Sequence, residues 1–249
     1  MMNRIGWIMA ACMAIALSGC NQANVRSDAD KASPAAANVE LGILYMREGK
    51  KVIAMEVLQK ALTQDPNSAD AHNAIAVLYE SLGETDKADS HFRRALSLNA
   101  KDSQAHNNYG SFLCRNKRWD EAEKHYLAAA ANTLYETPEI SYTNAGSCAF
   151  NAKDVAKAEQ YWRKALEVNP EFPPALLQMG RLSVNQKNYM SARAYLQRFH
   201  QVAKPSPESL WLGIQTERVL GDKNAEASYS MLLKNGYPDS PQAKQLLGQ

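Results

Sequence analysis

The stretch AHNNYGSFLCRNKRW, residues 105–119, repeats the pattern of AHNAIAVLYESLGET, which begins at Ala71, 34 residues earlier in the chain. Each copy opens on Ala-His-Asn, places a small residue five positions on (Ala76, Gly110) and a large one three beyond it (Tyr79, Leu113). Small beside large at helical spacing is what two packed helices need in order to approach closely and leave no gap. A repeat of this length belongs to stacked helical hairpins, in which no hairpin can bury its apolar face alone.

The pattern extends in both directions and is that of the tetratricopeptide repeat: small at position 8, large near 11, Ala at 20, large at 24, Ala at 27, Pro at 32. Counting from Ala35 gives Gly42, Tyr45, Ala54, Leu58, Ala61 and Pro66, and counting from Ala69 gives Ala76, Tyr79, Ala88, Phe92 and Ala95. Ser103 starts a third unit with Gly110, Leu113, Ala122, Tyr126 and Ala129. Two extra residues around LYETP shift the fourth to Glu139, with Gly146, Ala149, Ala158, Trp162, Ala165 and Pro170. A fifth from Pro173 keeps Gly180, Ala192, Leu196 and Phe199, and a sixth near Ser206 keeps Gly213, Ala225 and Tyr229 with a weak motif. The expected fold is therefore all-α, a right-handed superhelical solenoid of about six repeats over residues 35–238, near 35–68, 69–102, 103–138, 139–172, 173–205 and 206–238. Residues 239–249 form a cap or tail.

Composition is that of an ordinary globular chain, and the formal charge of +2, with no basic cluster longer than Arg93-Arg94, is too small to suggest a nucleic-acid binder and names no partner. The N-terminus differs. Arg4 precedes the apolar run IGWIMAACMAIAL, too short to span a bilayer comfortably but suited to a secretory signal. LSGC then ends at Cys20, matching a bacterial lipoprotein signal over residues 1–19, with Cys20 acylated. Asn21, where aspartate would favour inner-membrane retention, implies the periplasmic face of the outer membrane by the sorting rule of that class. Residues 20–34 are polar and read as a lipidated flexible tether.

With Cys12 in the signal and Cys20 acylated, Cys114 and Cys148 remain as one pair in an oxidising compartment. They occupy positions 12 and 10 of successive first helices, flanks that can face each other at disulfide distance, and the loop closed is worth about 3–4 kcal/mol. Two buried free thiols are the alternative. His72 and His106 share position 4, and His91 and His125 share position 23, as duplication products without zinc-site spacing. No metal site, cofactor (beyond the lipid on Cys20) or catalytic motif is expected, and the chain reads as no enzyme.

First helices line the concave side of such a stack. Positions 2, 5, 9, 12 and 13, with neighbouring asparagines, give a candidate protein-binding groove: Val39, Ile43, Met46 and Arg47 in repeat one, Asn73 and Val77 in repeat two, Asn107, Asn108, Ser111 and Arg115 in repeat three, and Asn144 and Ser147 in repeat four. Asparagine both donates and accepts, so a row of them can satisfy the backbone of a peptide, while repeat one offers an apolar anchor.

The lipoprotein signal, the repeats, NNYGSFLC at residues 107–114 and TLYETPEISYTNAGSC ending at Cys148 together resemble the type IV pilus biogenesis and stability lipoproteins (PilF/PilW), pilotins of the pilus secretin. The resemblance covers almost the whole mature chain, and the final repeat departs from it. It implies a partner, the secretin subunit, and possibly other pilus assembly proteins. It also implies a role in outer-membrane localisation and multimerisation of the secretin, no nucleic acid, and a Cys114–Cys148 disulfide. Alternative readings are an accessory scaffold for β-barrel assembly or for peptidoglycan enzymes.

Overall fold

In the computed structural model, residues 33–248 are described, and every regular element among them is α-helical. Cys20 and the tether up to residue 32 lie outside the described residues. Six helical hairpins follow one another: α1 (Pro34–Arg47) and α2 (Lys51–Gln64), α3 (Ala69–Ser81) and α4 (Thr85–Leu98), α5 (Ser103–Arg115) and α6 (Trp119–Ala131), α7 (Pro138–Asn151) and α8 (Val155–Val168), α9 (Pro173–Asn185) and α10 (Tyr189–Val202), α11 (Pro207–Leu220) and α12 (Lys223–Gly236). A thirteenth helix, α13 (Pro241–Leu247), occupies the segment read as a cap or tail and packs on α11 and α12.

Boundaries follow from capping chemistry. Pro34, read as the end of the tether, is the first residue of α1, where its fixed φ fits and its missing N–H costs nothing. Ser33 caps it, its side chain accepting from the Ala36 N–H at 3.1 Å. Ser68, Asp102 and Ser206 do the same for α3, α5 and α11. At the hairpin turns one residue must be left-handed: Gly49 and Gly83 supply it in repeats one and two, whereas Lys117, Lys153 and Lys187 take φ between 59° and 69° in repeats three to five. Each lysine there costs about 1–2 kcal/mol of backbone strain.

Within each hairpin the position-24 side chain fills the space left by the small residue at position 8. Phe92, Leu58, Tyr126, Trp162 and Leu196 are all almost fully buried, with the alanines at positions 20 and 27 beside them at zero exposure from Ala54 to Ala165. Between hairpins, the second helix of one repeat packs on the first helix of the next, α2 on α3 and α6 on α7 among them. The largest core cluster joins repeats two to four through Phe92, Tyr109, Phe112, Tyr126, Cys114 and Cys148.

The two-residue insertion between repeats three and four is held by Asn132, whose Nδ2 donates to the Lys101 carbonyl (3.1 Å) and the Ser103 hydroxyl (2.9 Å), while Leu134 at its tip is 83% exposed. Next to this disturbance Cys114 and Cys148 are joined by a disulfide, their Cα atoms 5.8 Å apart. It links α5 to α7, first helix to first helix, across a separation of 34 residues.

Candidate protein-binding groove

Consecutive first helices touch: α1 and α3, α3 and α5, α5 and α7, and α9 and α11. The unbroken part of this row, α1 to α7, carries the groove residues read from the sequence, but it uses them unequally. Ile43, Met46 and Arg47 on α1 and Asn73 and Val77 on α3 keep part of their surface open. Val39 does not. It is 5% exposed and packs with Ala71 and Ile75 of the next repeat, because position 5 of α1 turns towards α3.

Asn107 is likewise 7% exposed and is a strut between helices, not a free ligand group. Its Oδ1 accepts from Ser141 Oγ (3.2 Å) and from Asn144 Nδ2 (3.1 Å), tying α5 to α7. Asn108 performs the same task one repeat back, its Nδ2 donating to Asn73 Oδ1 at 3.3 Å while its own Oδ1 accepts from Gln104. The asparagines thus bond to one another along the row. A buried amide must find a partner, and here the neighbouring repeat supplies it. Ser111 accepts from the Tyr126 hydroxyl (3.1 Å) and donates to the Asn107 carbonyl, and Ser147 donates to the Thr143 carbonyl.

Arg115 forms a two-pronged pair with Glu80, Nε to Oε1 at 2.5 Å and Nη2 to Oε2 at 2.6 Å, which joins repeats two and three on the groove side. The open polar surface is therefore Asn73, Asn108 and Asn144, with Ser147 and the Arg115–Glu80 pair alongside. Such a surface suits a peptide backbone, since each amide retains unused hydrogen-bonding capacity.

An apolar depression of about 270 Å³ also lies between repeats one and two, where Lys51, Val52, Met55 and Glu56 of α2 meet Leu82 at the end of α3. Reading groove positions alone missed it. Its sequence signal is Val52, an aliphatic residue at an outward helical position, 73% exposed.

The histidines pair in a way that spacing within one helix does not show. His72 and His91 face each other Nδ1 to Nδ1 at 3.0 Å, and His106 and His125 at 2.8 Å, tying first helix to second within repeats two and three. The Nε2 of His72 and of His106 approach the carbonyls of Pro66 and Ala100, which makes each an Nε2–H tautomer and leaves Nδ1 as acceptor. Burial, and then the neighbouring His106 imidazole, push His125 down to about 4. Among the described residues no group of three or more His, Cys, Asp or Glu side chains is arranged to hold a metal ion. No described helix is long and apolar enough to cross a membrane.

The tetratricopeptide repeat family matches residues 39–90, 73–136, 140–172 and 174–202. The chain is 35% identical to the type IV pilus assembly protein PilF of Pseudomonas aeruginosa over 232 residues, 92% of each chain. The solved structure of Pseudomonas aeruginosa PilF covers 86% of this chain and 97% of its own with a TM-score of 0.76 at 35% identity. That of PilW, described as a widely conserved type IV pilus biogenesis factor, covers 86% and 98% with a TM-score of 0.74 at 30% identity. Hairpin stack, groove and near-full-length likeness converge: the chain belongs to the PilF/PilW family of tetratricopeptide-repeat proteins.

Proposed function

We propose that this protein is a non-enzymatic lipoprotein of type IV pilus biogenesis, anchored by acylated Cys20 to the periplasmic face of the outer membrane. It holds a segment of the pilus secretin in its groove and promotes the localisation and multimerisation of that secretin. The single observation that carries the reading is the 35% identity to the pilus assembly protein PilF across 92% of both chains. The repeat groove supplies a mechanism: an open row of amides can take an extended segment by its backbone, whatever the side chains, and the lipid concentrates the captured segment at the membrane where pores assemble.

Heat- and SDS-resistant secretin multimers, run on gels from cells with and without this gene, test it, with an unrelated porin as control. Loss of the multimers with the porin unaffected is the expected outcome. Unchanged multimers would reject secretin assembly as the role.

A further inference from the structure

Positions 7 and 10 of a first helix are docking positions. In repeats two to five they are Ile75 and Leu78, Tyr109 and Phe112, Ala145 and Cys148, and Met179 and Leu182, and none is more than 4% exposed. Each pair faces the repeat before it. Among the described residues no repeat precedes repeat one, and there the same positions are Leu41, 38% exposed, and Leu44, 49% exposed. The face continues onto α2. Ile53, Val57, Lys60 and Gln64 follow one another at steps of four, three and four, a single helical stripe. Gln64 Oε1 accepts from Asn38 Nδ2 of α1 at 2.7 Å, so that stripe and the one through Asn38, Leu41 and Tyr45 meet on the same end of the stack.

The opposite end of the molecule is closed. There α13 lies over α11 and α12, with Ala243 fully buried beside Leu210, Ile214 and Leu233. Solenoids need capped ends because an apolar terminal face is a solubility liability, yet this one is left aliphatic. Residues 21–32, NQANVRSDADKA, which precede it in the sequence, contain one large aliphatic side chain, Val25.

We propose that this end face, Leu41 and Leu44 with Ile53 and Val57, lies against the phospholipid surface that holds acylated Cys20. The inference rests on the lipid anchor of the preceding section. Twelve residues, thirteen Cα–Cα steps, separate Cys20 from Ser33, a span of at most about 45 Å. Confinement within that distance gives the face an effective concentration on the order of millimolar at the bilayer, so a contact too weak to hold a free protein suffices.

Chemistry favours lipid over a protein partner. The centre of the face is Leu, Leu, Ile and Val, whereas the centres of protein interfaces are enriched in Trp, Tyr and Arg and poor in Leu and Val. Tyr45, with the Lys50 ammonium 5.7 Å from its ring centre, and Lys60 stand beside the aliphatic patch. An amphipathic aromatic and long cations are the residues that settle at headgroup level. Seated this way, the stack rises from the membrane by its first repeat and the groove runs outward along the remaining ones.

The test uses the full-length protein purified with its lipid and reconstituted in phosphatidylethanolamine–phosphatidylglycerol vesicles. A polarity-sensitive fluorophore is placed at Leu44→Cys or, as a remote control, at Leu134→Cys, under non-reducing conditions that leave Cys114–Cys148 closed. Quenching by doxyl-labelled lipid at position 44 and not at 134 is expected. With the label at Ile53→Cys, adding Leu41→Glu and Leu44→Glu should abolish the quenching while the protein still floats with the vesicles. Floating protein whose position-44 label is unquenched, or quenched no more than the one at 134, overturns the proposal. So does a label shielded in a concentration-dependent way without vesicles, which would make a second copy the cover, or shielded only when other membrane proteins are added. Protein without acyl mass on Cys20 that fails to float refutes the anchor itself, and the proposed seating falls with it by a separate readout.

Discussion

Gly146 is where the packing logic can be struck most directly. A Cβ added there would stand 2.6 Å from Cδ1 and Nε1 of Trp162 and 3.0 Å from the Ala158 carbonyl. Trp162 is 1% exposed and its indole N–H donates to the Thr143 carbonyl at 3.2 Å. The ring cannot give way without losing that bond. Overpacking costs about 1–3 kcal/mol and a stranded buried donor about as much again, while alanine regains about 1 kcal/mol of helix propensity. Gly146→Ala should therefore lose roughly 2–4 kcal/mol, about 5–15 °C in Tm for a chain of this size. Gly180→Ala is the control: its new methyl meets Cδ2 and Cγ of Leu196 at 3.0 and 3.1 Å, an aliphatic side chain that breaks no hydrogen bond by shifting, and Tyr195 Cβ at an ordinary 3.8 Å. Urea melts followed by tryptophan fluorescence and by circular dichroism measure both. If Gly146→Ala is as stable as the parent, or no worse than Gly180→Ala, close approach at position 8 is not what the glycine is for.

Reduction of the Cys114–Cys148 disulfide should lower stability by about 3–4 kcal/mol through the loop it closes. Melts with and without reductant, beside alkylation and intact mass, check this, and two alkylatable thiols in the untreated protein would refute the staple. The fold favours neutral His125, so its contribution is complete above the unfolded value near 6.5 and is lost as pH falls towards about 4. Tm should therefore drop across that window, and His125→Gln should show a shallower drop; equal slopes would count against the pairing. Asn108→Ala with Asn144→Ala should weaken partner capture in a pull-down with little change in Tm, whereas Asn107→Ala should cost about 1–2 kcal/mol, since its amide is a buried acceptor for two donors. Destabilisation by Asn108→Ala equal to that of Asn107→Ala would move both into the scaffold.

The hairpins were legible because their rule is volumetric: a residue as small as Gly110 opposite one as large as Tyr126 leaves few other arrangements at that spacing. Cysteines at positions 12 and 10 were legible for the same reason, since adjacent first helices fix the distance between flanks. What the one-dimensional pattern could not give was which polar side chains are already spent. Asn107 and Asn108 are adjacent in sequence and look alike, yet a turn of about 100° per residue sends one into the seam between α5 and α7 and leaves the other towards the groove. His72 and His91 were hidden similarly, because the pair forms between positions 4 and 23, across the hairpin and not along one helix.

A groove built from such residues has a consequence for how it works. The amides that could receive a peptide already bond across repeats, Asn108 to Asn73 and Asn144 to Asn107. A ligand backbone must either add to these bonds, using the remaining donor and acceptor of each amide, or exchange with them. Exchange at Asn107 would strand a buried acceptor, which costs about 1–3 kcal/mol, so capture there is opposed by the scaffold itself. Addition at Asn73 and Asn108 strands nothing. The disulfide reinforces the difference, because it locks α5 against α7 beside Asn107 and Asn144, while α3 and α5 are joined by the Asn108–Asn73 bond, the partly exposed Arg115–Glu80 pair and the packing of Ala76 and Val77, with no covalent link. The amides free to add a ligand backbone thus lie at the seam between repeats two and three, while at the stapled seam beyond it the buried acceptor of Asn107 is already spent.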